Sequence, residues 1–151
     1  MGKSTTRGTV TALVGAQYGS EGKGVIAAKI AHLYSVHVRT GGPNAGHSFI
    51  HEGKVHVQQV IPCGWKNPRA KLVIGAGMLL DMGQLRREIR VIEKYDPGIL
   101  DRLWIDSAAG VLDPRFHEQE GGTKGEIHER IGSTGEGVGA ARVARINRDE
   151  S

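Results

Sequence analysis

Cysteine is almost missing from this 151-residue chain. A single residue, Cys63, excludes an internal disulfide and fits a reducing compartment; it reads as a small buried hydrophobe. Aromatic residues are few and scattered (two Phe, two Trp, three Tyr), so there is no stacking platform for bases and no direct nucleic-acid binding is expected. No long hydrophobic run exists. The longest, residues 10–16, is too short to span a membrane or to form a secretory leader. Neither sign of charge dominates: 20 basic against 16 acidic residues give +4, which suits an anionic small molecule. Metal-ligand spacing is also wanting. His32, His37, His117 and His128 stand without a His-x-x-x-His or paired-Cys partner, so zinc is not expected. His51 and His56 flank a turn and are expected to face solvent.

Glycine is in excess. The chain has 23, where average usage of about 7% would give about 11. The surplus sits in discrete loops, 15–24, 41–46, 75–77, 121–125 and 132–139, between apolar segments. Loops of this kind bring backbone close to ligands.

Residues 1–8 are polar and expected to fray. The pattern then predicts a strand over 9–14 and a helix over 25–34 with Ile26, Ile30 and Leu33 on its core face. A strand over 36–39 follows, then a hairpin of 48–50 and 55–60 turning at Glu52-Gly53. A short strand over 71–74 precedes a helix over 81–95 with Leu85, Ile89 and Ile92 inward, stopped by Asp96-Pro97-Gly98. A strand over 103–105 and a helix over 138–146 complete the set. This alternation predicts an α/β layer fold, P-loop-like and nucleotide-binding, with a mostly parallel sheet and an inserted β-hairpin. The chain closes soon after a glycine loop with no large apolar element to cover it. The expectation is therefore that 9–151 forms the N-terminal portion of a longer, here incomplete, domain.

The first loop reads Gly15-Ala16-Gln17-Tyr18-Gly19-Ser20-Glu21-Gly22-Lys23-Gly24. Strand, glycine loop, lysine and helix form the layout of a phosphate cradle: backbone N–H groups converge on oxygens and Lys23 adds a point charge. It departs from Gly-x-x-x-x-Gly-Lys-Ser/Thr, because Gln17 takes the first glycine's place and Gly24 the hydroxyl's. A plain strand–turn–helix connector is the competing reading.

The second loop, Gly41 through Ser48, also follows a strand, so both loops should open at the same end of the sheet. His47 is the best general acid in the chain and Asn44 offers both donor and acceptor. A surface loop with a solvated histidine is the alternative. The third loop, 132–139, offers hydroxyls and free N–H groups ahead of a helix, a second place for a phosphate. Arg142, Arg145 and Arg148 recur every three residues and share one helix face, either solvated or reaching an anion.

Together these motifs resemble the adenylosuccinate synthetase family. The resemblance rests on Gln17-Tyr18-Gly19-x-Glu21-Gly22-Lys23-Gly24, Asn44-Ala45-Gly46-His47, Ile61-Pro62-x-Gly64, Ile74-Gly75-x-Gly77 and Gly132-x-Thr134-Gly135-x-Gly137-x-Gly139, in order over about 9–148. Such enzymes move the γ-phosphoryl of a nucleoside triphosphate to O6 of a purine monophosphate, and L-aspartate then displaces the phosphate. The resemblance implies that Gly19, Ser20, Glu21, Gly22, Lys23, Gly24, Gly46, His47 and Ser48 line the triphosphate site. It implies that Ser20, Asn44, Ala45, Ser133, Thr134 and Arg148 bind the purine monophosphate, with Arg148 reaching into a neighbouring subunit of a homodimer. Mg²⁺ would be held at Ser20 and the Gly46 carbonyl, and a cytoplasmic setting follows. Catalytic roles fall to Lys23, His47, Ser20 and Glu21.

Ser20 departs from the family pattern, which has an aspartate there as base and magnesium ligand. Serine at this place resembles the phage branch that makes 2-aminoadenine. There the substrate is dGMP, the product is N6-succino-2-amino-2′-deoxyadenylate, and the setting is the host cytoplasm. The neutral Ser20 would leave room for the guanine 2-amino group, and Glu21 becomes the candidate base. ATP, dATP or GTP could each donate the phosphoryl. An IMP-using synthetase and a catalytically dead nucleotide-binding module are the other readings. The family's later segments are not in this chain, so it is expected to be inactive alone.

Overall fold

Valines alternating with polar residues extend the chain at 36–41, and β-branched side chains favour that pleated backbone. In the computed structural model, which describes residues 8–17, 19, 21–120 and 134–149, this is strand β1 (Val36–Gly41). It runs parallel to the long central strand β4 (Lys71–Leu80), which also pairs in parallel with β5 (Leu103–Ile105) and β6 (Gly110–Val111). Strands β2 (His47–His51) and β3 (Lys54–Gln58) form a separate antiparallel hairpin. Its turn residues Glu52 and Gly53 have φ of 47° and 72°, the paired left-handed geometry that matches strand twist. The helices are α1 (Lys23–Lys29), α2 (Met82–Ile92), α3 (Ile99–Arg102), α4 (Pro114–Gln119) and α5 (Val138–Asn147). The fold is thus α/β with a parallel sheet and an inserted hairpin.

One face of the sheet carries the main core. Leu72 and Ile74 of β4 pack with Trp65, Leu85, Ile92 and Ile99. A second cluster, Leu79, Leu112, Phe116, Ala141 and Ala144, joins α4 and α5 to the far end of β4. Asp81 caps α2 by accepting the Gln84 N–H at 2.7 Å. Buried Glu88 on α2 accepts the backbone N–H groups of Gln59, Val60 and Ile61 at 2.6, 3.1 and 2.8 Å. One carboxylate thereby satisfies three donors of a segment without ladder partners and holds the hairpin's exit against the helix.

Several expectations need correction. Residues 9–14 do not form a strand: Val10 and Val14 are 94% and 79% exposed. They make no ladder with β1, and an apolar run becomes a strand only where a neighbour takes its N–H and C=O groups. The helix expected over 25–34 is α1 plus a separate 3-10 turn at Ala31–Leu33. Ile26 and Leu33 are exposed, and the side facing the core is Gly24, Ala28 and Ala31, small residues that permit close approach. His56 is buried and His51 half-buried, because both join Trp65 and Tyr95 in a ring cluster with centroids 4.9–5.5 Å apart. Strand β4 runs straight through Gly75-Ala76-Gly77 to Leu80, since Thr40 and Val38 of β1 pack closely over those glycines. Helix α2 ends at Ile92, short of residue 95.

Candidate functional site

Three glycine loops meet at the C-terminal end of β1. Gly24 is the contact between the first and second. A Cβ there would lie 2.8 Å from the His47 carbonyl carbon and 2.8 Å from the Ser48 carbonyl oxygen. Only glycine lets α1 press its first turn onto β2, which sets Lys23 beside His47. Gly42 joins the second loop to the third: a Cβ there would lie 2.9 Å from both Val138 Cγ1 and Asn44 Oδ1. The first two loops do lie together, but through the contact of Gly24 with β2 of the hairpin and not, as expected, because each follows a strand of one sheet.

In the first loop Gly19 and Gly22 have φ of 117° and 69°, left-handed turns that glycine adopts without strain. The Glu21 carboxylate folds back into the loop. It pairs with the Lys23 ammonium and accepts the Gln17 N–H at 2.6 Å. The Lys23 contact, with the Gln17 bond behind it, lowers the Glu21 pKa. A carboxylate so stabilised in its charged form is a weakened base, which counts against Glu21 in that role in this state. Tyr18 and Ser20 lie outside the described residues, as does Ser133.

His47 opens β2 and is half-buried. Its ring is pushed down to a pKa of about 4, first by burial and then by the positive charges of Arg39 and Lys23. At neutral pH the ligand-free ring is therefore an uncharged imidazole, able to donate a hydrogen bond, one of the two roles expected of it. Its Nδ1 faces the Arg39 guanidinium within hydrogen-bond reach. Arg39 is buried; Nη2 donates to the Ala45 carbonyl at 2.8 Å and Nη1 reaches Gln58 O at 3.5 Å. Sequence reasoning passed over Arg39. The signal was its place in β1: Val36 and Val38 point outward, so His37 and Arg39 face in. The buried Cys63 thiol, raised to about 11 by burial, lies against the His47 carbonyl at 3.9 Å and stays protonated.

Asn44, Ala45 and Gly46 are exposed at the mouth, as are Ser48 and Thr134. The third loop differs from expectation. The N–H groups at the start of α5 are not free: buried Glu120, from the end of α4, accepts the Gly137 N–H at 2.9 Å and the Ala140 N–H at 3.0 Å. The start of α5 already holds an anion, supplied by the chain itself. Arg148 is exposed and sits in a left-handed C-cap with φ of 60°, leaving the helix face assigned to it with Arg142 and Arg145. At 1.5 Å per residue it lies roughly 15 Å along α5 from the loop. Arg145 donates to the Ala108 carbonyl at 2.8 Å.

No cluster of three or more His, Cys, Asp or Glu side chains suited to a metal occurs among the described residues. A protein cage is thus not on offer. Mg²⁺ does not need one, because it is commonly held by substrate phosphates, waters and one or two protein oxygens. No helix among the described residues is long and apolar enough to cross a membrane.

Similarity to known proteins matches this arrangement. The adenylosuccinate synthetase family profile aligns with residues 12–151. Adenylosuccinate synthetase of Methanococcus aeolicus is 39% identical over 143 residues, 93% of this chain and 42% of the relative. That of Pyrococcus horikoshii is 36% identical over 139 residues, 90% of this chain and 40% of the relative. The chain thus spans about two-fifths of the length of these curated relatives. Among solved structures, fully ligated adenylosuccinate synthetase from Plasmodium falciparum superposes with a TM-score of 0.75 at 29% identity, covering 89% of this chain and 32% of that one. Succinoaminodeoxyadenylate synthetase of cyanophage S-2L, bound to dGMP and dATP, gives 0.72 at 29%, covering 89% and 37%. With the loops converging as they do and the profile covering nearly all of the sequence, the chain belongs to the adenylosuccinate synthetase family.

Proposed function

We propose that this chain supplies the phosphoryl-transfer part of a ligase that joins L-aspartate to a purine monophosphate. The observation that carries it is the seating of Lys23 against His47 across Gly24. In the first step O6 of the purine attacks the γ-phosphorus. The P–O6 bond forms, the bond to the β-phosphate oxygen breaks, and the N1 proton leaves to a base. In the second, the aspartate amine attacks C6, inorganic phosphate departs with the C6–O bond, and the nitrogen sheds its proton to solvent. The residues here do positioning and charge work. Lys23 leaves Glu21 for a phosphate oxygen, while Gly19, Gly22 and Gly24 let backbone approach the triphosphate. His47, uncharged, donates a hydrogen bond to the transferring phosphoryl, and Ser48 borders it. Asn44, Ala45, Thr134, Ser20 and Ser133 would bind the purine monophosphate, and Arg148 would serve a second subunit in a homodimer. Mg²⁺ would be held by Ser20 and the Gly46 carbonyl, and would supply positive charge against the transferring phosphoryl group.

Ser20 favours dGMP as substrate, with ATP or dATP as donor, because a small neutral side chain accommodates a 2-amino group; the ligands named for the cyanophage structure fit this. The higher identity to archaeal adenylosuccinate synthetases favours a second reading, IMP with GTP. Phosphate release by the full-length enzyme, with aspartate and each purine in turn, decides. Faster release with dGMP supports the first reading, and preference for IMP overturns it. Nucleotide binding with no release from either would leave a catalytically dead module. The isolated 151-residue chain is expected to bind triphosphate without turnover, and any turnover by it would refute that.

A further inference from the structure

Arg39 is a buried cation with no carboxylate in direct ion-pair contact among the described residues; Glu88 offsets its charge only through space. Its Nε has no hydrogen-bond partner among the described residues. Burying a guanidinium on such terms is costly, and Arg cannot shed its charge to escape. What the charge faces is informative. Nη2 grips the Ala45 carbonyl at 2.8 Å, inside the second glycine loop, and Nη1 meets Nδ1 of His47. A guanidinium nitrogen only donates, so the imidazole nitrogen it meets must accept. The ring proton then sits on Nε2, which has no partner among the described residues.

We propose that Arg39 is the positioning residue for His47. It fixes the Nε2–H tautomer and ties the ring to the 42–46 loop. The idea rests on the reading of His47 as donor to a transferring phosphoryl, and adds how the donor is made ready. A cationic imidazole would stand against Lys23 with its like charge. A neutral Nδ1–H tautomer would turn a lone pair toward the anion. The arginine excludes both at once. The charged and titratable groups around the ring are Arg39 from β1, Lys23 from α1 with its partner Glu21, and Cys63, whose raised thiol is uncharged.

The test is independent of turnover. Long-range proton–nitrogen correlation on the ¹⁵N-labelled chain reports which ring nitrogen of His47 carries the proton. At pH 7 the ligand-free protein is expected to show Nε2–H alone. Arg39→Met, similar in length and without a donor or charge, is expected to mix the tautomers. Arg39→Lys keeps a charge and a donor, and is expected to retain the tautomer. An Nδ1–H ring in the unmodified chain would overturn the proposal without any variant having to fold. So would an unchanged ring in a folded Arg39→Met. An enzyme that fails to release phosphate would refute the functional reading and leave these ring signals unaltered.

Discussion

Two helices in this chain begin in the same way and are used differently. Both α1 and α5 start from a left-handed glycine, Gly22 at φ 69° and Gly137 at 74°, with no side-chain cap from that residue. Both glycine loops also hold a carboxylate. At α1 it is Glu21, from the loop itself, paired with Lys23 near the surface. At α5 it is Glu120, brought by another helix, buried and bonded to two backbone N–H groups. The first arrangement is a side-chain pair at the rim that an incoming phosphate can exchange for. The second is part of the packing. Glycine content alone marks both places as anion sites; the depth of the internal carboxylate tells which is open.

The sharpest way to break that comparison is at Lys23. If the α1 loop is the open site, Lys23→Ala loses a charged hydrogen bond to triphosphate of about 1.5–3 kcal/mol, about ten- to a hundredfold in affinity. Calorimetric titration of Mg-ATP into the chain measures it. Glu120→Ala should leave that affinity within about twofold; equal losses in the two variants would mean that the loops are not distinct.

Glycine offers the next test. Gly24→Ala would drive a methyl against the backbone of His47 and Ser48, which cannot yield, and should cost about 2–3 kcal/mol of stability. At Gly139 a methyl meets only the Glu120 Oε1 end, at 2.8 Å, a side chain that can yield at some cost to its bond with the Ala140 N–H. Alanine there also gains about 1 kcal/mol of helix propensity, which offsets part of that cost, so the net loss should be smaller than at Gly24. Urea denaturation of both variants compares them. Comparable losses would show that the α5 terminus is as rigidly packed as the α1 contact.

Removing the buried carboxylate comes third. Glu120→Ala leaves the Gly137 and Ala140 N–H groups without their acceptor and should cost about 1–3 kcal/mol. The emptied terminus then resembles an open anion site. Sulfate should restore part of the loss in this variant and much less in the parent, as read from melting temperatures in matched ionic strength. No recovery would show that Glu120 is needed for its packing alone.

The parts of this site that were legible in the sequence are those where chain geometry forces residue type. Gly22 and Gly137 at positive φ, Gly24 at a close approach and the Glu52-Gly53 turn all announce themselves, because other residues are strained or excluded there. Parity along β1 was not legible. Val36 and Val38 would be expected inward on hydrophobicity, yet His37 and Arg39 take that face, and so the residue against His47 stayed hidden. Glu120 and Glu88 were missed for a related reason. Each is a charged residue in a helical pattern whose buried position depends on backbone donors distant in sequence, 17 to 29 residues away. Helix α1 and the 3-10 turn after it misled through size: their core face is Gly24, Ala28 and Ala31, while the larger Ile26 and Leu33 stay exposed. Periodicity weighs bulk, and close helix–strand contact selects against it.

The smallest expected effect is a pH slope that belongs to one side of the comparison. Burial lowers the pKa of His37, His47 and His56, that of His47 to about 4, against 6.5 when unperturbed. Between those values the unfolded chain binds more protons than the folded one, so stability must rise with pH. It is fully present above about pH 6.5 and is lost as the medium is acidified toward the folded-state values. These rings are not all fully enclosed, so solvent screening reduces the effect, and about 1–2 kcal/mol between pH 7 and pH 5 is expected in urea melts. None of the three lies at the α5 terminus: His47 borders α1, His37 packs on Gly64, and His56 sits in the Trp65–Tyr95 cluster. Glu120→Ala should therefore shift the whole stability curve down without changing its slope in this window. Arg39→Met, by letting the His47 midpoint rise, should flatten it. A slope altered by Glu120→Ala would mean that the two helix starts are energetically coupled through Gly42 and Val138, and the division between an open and a filled site would fail.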